Sequence, residues 1–419
     1  MTETKTSTSS PLIVRGRLLI DPSRTPIPGW LRIEDRRIVE IHEGDPPAGE
    51  AVLGGRDRVI TPAFVDAHTH LPQVDSVGCD GLGLLEWLDE VIYPAEVWWG
   101  AGASAHLARR AAARYVREGT AAVAGYLTSH AGAAREAASI LASETPLRWM
   151  LGRVAMDRGA PDDLTREDRE RGKASPVLPY IETSERLDIS ANPRFAISCT
   201  EELLAEIGWY VKEHPGTPVQ THLSESNAEC ARVRELFPDD ETYTNVYDRF
   251  GLLTERTLLA HCVHLSAAEW GLVRERGSVV VHCPTANTFL RSGLFDFGRA
   301  REAGVKLALG TDVAAGADFA MPRVARAAIE VAKVRAMTVD PSAYVPSPAE
   351  VWALITRGGA DALGWHRTAR LEVGAEADVL VLRVPETWLD AHLVGRLIYG
   401  WTSDLVEHRV LNGTRWESV

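Results

Sequence analysis

Cysteines and long apolar runs are both scarce in this chain, and each scarcity excludes a class of protein. Five cysteines occur in 419 residues, and they are Cys79, Cys199, Cys230, Cys262 and Cys283. An odd, scattered set without a Cys-x-x-Cys pair indicates reduced thiols in a cytoplasmic protein rather than a disulfide framework. No stretch approaches the ~18–20 continuous apolar residues of a membrane span. The first ten residues lack the apolar core of a signal peptide, and we expect them to form a disordered tail.

Positive charge is also in deficit, with 45 basic against 58 acidic residues and a formal net charge of −13. Nucleic acids and anionic membranes require basic surfaces, so neither is an expected partner. No glycine-rich phosphate loop follows the first strong strand candidate, which disfavours the nucleotide-binding folds. The composition therefore favours a small, neutral substrate.

Two patterns of predicted secondary structure divide the chain. Residues 11–60 and 365–419 contain short strands and turns, which predict one small β-sandwich domain formed by both chain ends; two tandem domains are the alternative. Residues 61–364 alternate short apolar runs with helical stretches, the latter including residues 104–118, 201–213, 267–276 and 322–336. The strand candidates are residues 59–66, 121–127, 148–156, 195–200, 218–222, 257–261, 278–282 and 305–310. Eight strand–helix units predict an α/β fold of the (β/α)8 TIM-like barrel type, with a doubly wound open sheet as the alternative.

One segment interrupts the alternation. Residues 157–192 are rich in Arg, Asp and Glu and contain few apolar runs. We expect a long loop with a polar helix above the third strand. Its role is either that of a lid or that of a solvated insertion.

The most informative motif is His68-Thr69-His70, which ends a run predicted to be a buried strand over residues 59–65. Residues two apart on a strand point to the same side, so both imidazoles can reach one point. Two such nitrogens are half of a tetrahedral zinc site.

Further metal-ligand types occur at the ends of later strand candidates. These are His222, His261, His282 and Asp312. In a barrel these ends share the face on which active sites are built, so the pattern predicts a metal centre there. For His282 two interpretations stay open, namely a direct role in the site and a supporting or packed position at the strand end. For His264 a surface or loop position is favoured.

Glu225 follows His222 by three residues and is the candidate proton carrier. A bound zinc ion acidifies water, and a carboxylate outside the ligand set can move that proton to a substrate. A helix N-terminal carboxylate is the alternative interpretation of Glu225. No lysine lies in the fourth strand region, residues 194–200, to bridge two metals. The pattern therefore favours a single ion.

These features resemble the amidohydrolase superfamily and, within it, the guanine deaminases. The similarity is carried by residues 62–73 with the His-x-His-x-x-Gln pattern, 84–88 (Leu-Leu-Glu-Trp-Leu), 93–96 (Tyr-Pro-Ala-Glu), 152–157, 193–195 (Pro-Arg-Phe), 221–225, 243–247, 260–265, 282–287 and 310–313. The resemblance implies one Zn²⁺ per chain, held by His68, His70, His222 and Asp312. It implies Glu225, His261 and Asp312 as catalytic residues. It implies a purine contacted by Gln73, Arg194, Phe195 and Trp87.

The activity implied by the resemblance is hydrolysis of guanine to xanthine and ammonia by a cytoplasmic homodimer. Three positions depart from the usual family pattern, namely Ala63, Asn192 and Ala286. Because such changes can alter the substrate, deamination of another aminated heterocycle is the alternative; isoguanine, 8-oxoguanine, ammeline and other triazines are examples. A non-catalytic barrel scaffold is the third possibility, but it would be expected to have lost ligands.

Overall fold

The computed structural model describes residues 11–170 and 184–416 of the chain. The strands are β1 (Leu12–Leu18), β2 (Ile27–Glu34), β3 (Arg37–Glu43), β4 (Val52–Pro62), β5 (Phe64–His70), β6 (Thr120–Tyr126), β7 (Arg148–Gly152), β8 (Val154–Ala155), β9 (Leu187–Ile189), β10 (Asn192–Pro193), β11 (Val219–Leu223), β12 (Thr257–His261), β13 (Val279–His282), β14 (Lys306–Leu309), β15 (Val379–Arg383), β16 (Val406–Leu411) and β17 (Thr414–Trp416). The tail predicted for residues 1–10 lies outside the described residues.

The helices follow most of the central strands. They are α1 (Leu84–Trp87), α2 (Tyr93–Trp98), α3 (Ser104–Glu118), α4 (Ala131–Glu144), α5 (Asp162–Glu170), α6 (Glu201–Glu213), α7 (Asn227–Leu236), α8 (Tyr243–Arg249), α9 (Ala267–Arg276), α10 (Pro284–Phe289), α11 (Phe297–Ala303), α12 (Met321–Thr338), α13 (Pro348–Leu354), α14 (Arg357–Ala362) and α15 (Leu393–Tyr399). Among these described helices, none has the length and apolar character needed to traverse a lipid bilayer.

Strands from both chain ends form a single sheet. Its order is β17-β16-β15-β4-β1-β2-β3, and β1 and β4 pair in parallel while the other neighbours are antiparallel. Val14, Ile60 and Val381, from three of these strands, belong to one buried apolar cluster. The sequence predicted a β-sandwich here, and the described strands of both chain ends are hydrogen-bonded into this one sheet.

The central strands form two parallel sheets, ordered β5-β6-β7-β9 and β11-β12-β13-β14, with β8 and β10 paired separately. Backbone hydrogen bonds connect the two sheets at both sides. At one side the Asp312 amide donates to the His68 carbonyl at 2.8 Å; at the other the Ala191 amide donates to the Pro218 carbonyl at 2.9 Å. The carboxyl ends of β5 and β11 to β14 therefore lie close together.

Helix positions agree closely with the sequence predictions, whereas three strand predictions were wrong. Residues 148–156, predicted as one strand, form β7 and β8, which belong to different sheets. The run at residues 59–66 is not one strand: β4 ends at Pro62 and β5 begins at Phe64. Ala63 lies between them, and its amide donates to the carbonyl of Asp378. Both halves are apolar because both are buried, so the sequence pattern does not mark the point where the chain passes from one sheet to the other.

The predicted fourth strand, residues 195–200, is instead a 3-10 turn at Ala196–Ser198. The amide of Ala196 receives no strand partner and donates to the hydroxyl of Tyr247 at 3.0 Å. The fourth place in the sheet is taken by β9, which lies inside the segment predicted to be a loop. The polar helix predicted there is α5, and residues 171–183 lie outside the described residues.

Candidate active site

Three imidazoles and a carboxylate meet at the carboxyl ends of the central strands. His68 and His70, two apart on β5, are both buried and point to the same side of the strand. The Nε2 atoms of His70 and His222 are 3.1 Å apart. Oδ1 of Asp312 lies 3.2 Å from Nε2 of His68 and 3.4 Å from Nε2 of His70. The structure therefore brings together all four residues that the sequence predicted as ligands.

These distances fit a single zinc ion. A tetrahedral site with bonds of about 2.0–2.1 Å has ligand atoms about 3.3 Å apart, which matches the measured separations. A second grouping of four residues, with His261 in place of His70, has donor atoms from His68, His222, His261 and Asp312 within 4.8 Å of one another. The donors are nitrogen and carboxylate oxygen, as zinc requires. The residues present thus fit the metal that the sequence predicted.

The surroundings of His68, His70 and His222 favour the neutral imidazoles that bind a metal ion. Burial lowers the pKa of His68, and burial together with neighbouring imidazoles lowers the pKa values of His70 and His222 well below the usual range. Nδ1 of His222 donates to the backbone carbonyl of Arg194 at 2.5 Å, which leaves Nε2 unprotonated in the neutral ring. Burial opposes the charge of Asp312, but the neighbouring imidazoles, above all that of His68, lower its pKa overall.

Glu225 lies beside this cluster without being part of it. Its Oε2 atom is 3.5 Å from Nε2 of His261, and its Oε1 atom accepts a hydrogen bond of 2.8 Å from Ser292. Burial raises the pKa of Glu225 to about 7. A carboxyl group with such a pKa can both accept and return a proton near neutral pH.

His261 is held with one nitrogen facing the centre. Its Nδ1 atom donates to the side-chain oxygen of Asn287 at 2.8 Å, while Nε2 lies 3.7 Å from Oδ2 of Asp312. His261 and Asp312 have φ angles of 72° and 49°, and Ser224, next to Glu225, has a φ of 50°. Left-handed backbone is costly for residues other than glycine and is concentrated at functional sites. Each of these turns occurs where a strand delivers a polar group to the cluster.

His282 differs from the other strand-end histidines. Its ring stacks on Phe295 with centroids 4.3 Å apart, and neither ring nitrogen has a hydrogen-bond partner among the described residues. This geometry is that of a packed strand end, one of the two roles the sequence left open. His264 donates from Nε2 to the backbone carbonyl of Ser292 at 2.7 Å, so it fixes the loop that carries the partner of Glu225.

A cavity of about 400 Å³, partly open to solvent, lies over the cluster and is lined by Gln73, Trp87, Arg194 and Phe195. The cavity brings together all four residues predicted to contact the substrate. Trp87 is also fixed to the protein, because its indole nitrogen donates to the carbonyl of Cys79 at 3.0 Å.

Sequence reasoning missed the partners that hold these side chains. Glu96 binds both Gln73 and Arg194, and Asn287 and Ser292 hold His261 and Glu225. Glu96 and Asn287 lie inside motif blocks of the sequence, but no role was assigned to them. Asp66 accepts hydrogen bonds from Thr311 and from the amide of His68. Its spacing of two from His68 on the same strand was a signal that could have identified it.

Comparison with known proteins agrees with this geometry. The model of the Amidohydrolase family matches residues 59–407. This chain belongs to the amidohydrolase family. A guanine deaminase of Escherichia coli (strain K12) is 34% identical over 338 residues, which cover 79% of this chain and 74% of that protein.

Solved structures of amidohydrolase relatives superpose over nearly the whole chain. The guanine deaminase of Bradyrhizobium japonicum has a TM-score of 0.87 at 27% identity and covers 98% of this chain and 99% of its own. The guanine deaminase of C. acetobutylicum, with guanine bound in its active site, has a TM-score of 0.87 at 26% identity and covers 97% and 100%. The family and the fold of the central strands are therefore established.

Proposed function

We propose that this protein hydrolyses guanine to xanthine and ammonia with one zinc ion per chain. One observation carries the proposal. The same cavity is bordered by metal-ligand atoms at tetrahedral spacing and by the buried side chains of Arg194 and Gln73. The similarity to guanine deaminases supports it, since one of the matched structures holds guanine in its active site.

We assign the zinc ligands as His68, His70, His222 and Asp312. His261 is placed outside the set because its Nε2 atom faces the second oxygen of Asp312 at the longer distance of 3.7 Å. Bound there, zinc would lower the pKa of water enough to supply a nucleophile near neutral pH. No lysine occurs between Lys173 and Lys212, the stretch that contains the fourth strand region, so no bridging group for a second ion is available there.

Proton transfer is assigned to Glu225. Its carboxylate takes a proton from the attacking water and delivers it to the ring nitrogen next to C2 of guanine. C2 becomes tetrahedral and carries a hydroxyl group. The exocyclic C–N bond then breaks, the amino group takes the hydroxyl proton and leaves as ammonia, and C2 becomes a carbonyl carbon of xanthine. His261, fixed by Asn287, and Asp312 orient the water and stabilise the developing charge. One water is consumed for each xanthine and ammonia formed.

Recognition of the base is assigned to Gln73 and Arg194, with Phe195 and Trp87 beside the ring. The guanidinium of Arg194 can donate to O6, and the amide of Gln73 can pair with a lactam N–H/C=O edge. Arg194 is the one lysine or arginine among the described residues lining the cavity, and Glu96 neutralises it. A phosphate would find no free cation there, so the site suits a free base rather than a nucleotide.

We further propose that the two central sheets form one closed (β/α)8 barrel over residues 61–364, since hydrogen bonds join them at both sides. The apolar cluster shared by strands of the terminal sheet supports a separate small domain of residues 11–60 and 365–419. The β-sandwich arrangement, the homodimer and the cytoplasmic location remain predictions.

The test is a substrate panel. Zinc-loaded protein is incubated separately with guanine, guanosine, adenine, 8-oxoguanine and ammeline, and ammonia release is followed with chromatography of the products. We expect guanine to be the best substrate and xanthine its product. If ammonia is released from another heterocycle but not from guanine, the assignment of guanine as substrate is wrong, while the assignment of the reaction as hydrolytic deamination stands.

A further inference from the structure

A buried carboxylate behind the cavity connects the two residues that we assign to base recognition. Glu96 lies on α2, is fully buried, and is surrounded by parts of the chain that are remote in sequence. Its Oε1 atom accepts from Nε2 of Gln73 at 3.0 Å. Its two oxygens accept from NH1 of Arg194 at 2.9 and 2.8 Å.

These bonds restrict the side chain of Arg194. NH1 is occupied by Glu96, and the guanidinium carbon lies 5.3 Å from the centroid of the Tyr93 ring. Within the described residues, Nε and NH2 of Arg194 donate to no other protein group. Because the guanidinium is planar and rigid, fixing NH1 also fixes the direction of the N–H groups on Nε and NH2. These are the N–H groups that remain available to the cavity.

The same carboxylate decides the orientation of Gln73. A carboxylate only accepts hydrogen bonds, so the amide nitrogen of Gln73 must face Glu96 and the amide oxygen must face away. The oxygen accepts from the backbone amide of Ala314 at 3.3 Å. The amide group of Gln73 is therefore held from both ends in one of its two possible orientations.

We propose that Glu96 is a positioning residue for substrate choice, because it turns the free N–H groups of Arg194 toward the O6 edge of the purine and fixes the amide of Gln73 in one orientation beside it. This inference rests on the function proposed above. It assigns Glu96 no contact with the substrate and no part in proton transfer. It predicts that loss of the carboxylate reduces the preference for purines with a 6-oxo group over purines without one, while the rate of deamination at C2 is maintained.

The test uses Glu96→Gln in the zinc-loaded protein, with Glu90→Gln as the matched control because Glu90 is exposed and six residues earlier. The KM for guanine is compared with the inhibition constant of 2-aminopurine, a competitor with the same 2-amino group and no O6. We expect the KM to rise at least tenfold, the inhibition constant to change less than about threefold, and kcat to stay within about threefold. The control should match the parent.

A merely structural role predicts a different pattern. Guanine and 2-aminopurine binding would weaken together, or zinc content and kcat would fall; either result overturns the proposal. In a double-mutant cycle, Glu96→Gln and Arg194→Ala should be strongly non-additive in the KM for guanine, and additive effects would contradict action through Arg194.

Two further results separate the possible failures. If the Glu96→Gln protein folds poorly, Glu96→Asp keeps the charge beside Arg194 and withdraws the carboxylate. Glu96→Asp should raise the KM for guanine by threefold or more and leave the inhibition constant of 2-aminopurine unchanged. Equal changes in the two constants would refute the proposal. A parent protein that leaves guanine unchanged would instead defeat the proposed function itself.

Discussion

At the scale of single residues, the side chains assigned to proton transfer and base recognition are held by partners from distant parts of the chain. Ser292 is 67 positions from Glu225, and Glu96 is 98 positions from Arg194. The partners use hydrogen bonds that leave one defined atom of each functional group facing the cavity. Such preorganisation costs nothing at the moment of reaction, which is why fixed groups stabilise developing charge better than solvent does.

Replacement of Glu225 by Gln tests proton transfer directly. The amide has nearly the shape of the carboxylate but cannot take and return a proton. We expect kcat to fall by roughly 10²–10⁴-fold, the usual contribution of a general acid–base group. Zinc content, measured by atomic emission on the same sample, should stay at one equivalent. Turnover within a few-fold of the parent, with zinc retained, would remove Glu225 from this role.

The sequence predicted the candidate ligands more successfully than it predicted their supporting partners. His68, His70, His222 and Asp312 could be identified because metal-ligating residue types recur at strand ends. Ser292 could not, since a serine in a loop is common and its contact with Glu225 depends on the tertiary fold. The spacing of residues within one strand predicts which side chains share a face. It does not predict which loops contact those side chains in the folded protein.

At the scale of elements, the four helices named from the sequence were predicted within two residues at each end, and five of the eight strand candidates within one residue. The helix at Ala267–Arg276 is marked by a capping box at Ser266 and by Gly277 at its end. Buried strands lack such signals: an apolar run at Phe195 looks the same whether it forms a strand or a buried 3-10 turn. Tertiary hydrogen bonds, such as that from Ala196 to Tyr247, decide between them.

Substitution of Gly310, at the end of β14, tests whether the close approach of this position to His68 on β5 is needed to form the metal site. A Cβ atom placed there would lie 2.7 Å from Cβ of His68. We expect Gly310→Ala to destabilise the fold by about 1–3 kcal/mol, as overpacking does, and to weaken zinc binding by displacing His68. Thermal unfolding and competition with a chelator measure the two effects.

The matched control for this substitution is Gly132→Ala. Gly132 lies in α4, where an added Cβ meets nothing within 4 Å, and alanine is the better helix former. Stability should stay the same or rise. If both variants behave alike, the close approach at Gly310 has no role in holding His68.

At the scale of the whole molecule, charged groups join the terminal sheet to the central strands. Glu376 precedes β15 and accepts hydrogen bonds from Arg148 on β7 and from Arg186, the latter at 2.8 Å. Arg186 also donates to the buried Asp378 at 3.0 Å. Burial opposes the charge of Glu376, but the hydrogen bond from Arg148 and the two arginine charges lower its pKa overall.

Glu376→Ala should therefore destabilise the protein strongly, by about 3–5 kcal/mol in urea unfolding at neutral pH, since it leaves the buried Arg148 without its carboxylate partner. Glu386→Ala, at an exposed position, should change stability by less than about 0.5 kcal/mol. A lowered folded-state pKa means that the contribution of Glu376 is present above the unfolded pKa and is lost as pH falls through the folded value. The difference between parent and variant should narrow in acid; a difference that grows there would contradict this assignment.

The central claim is a single-zinc site that deaminates guanine, and a metal titration tests it most directly. Metal-free protein is titrated with zinc while xanthine and ammonia are measured from saturating guanine. We predict equal amounts of the two products and a rate that rises linearly to a plateau at one zinc per chain. A plateau at two equivalents would contradict the single-metal site, and fully zinc-loaded protein that forms no xanthine would contradict the function.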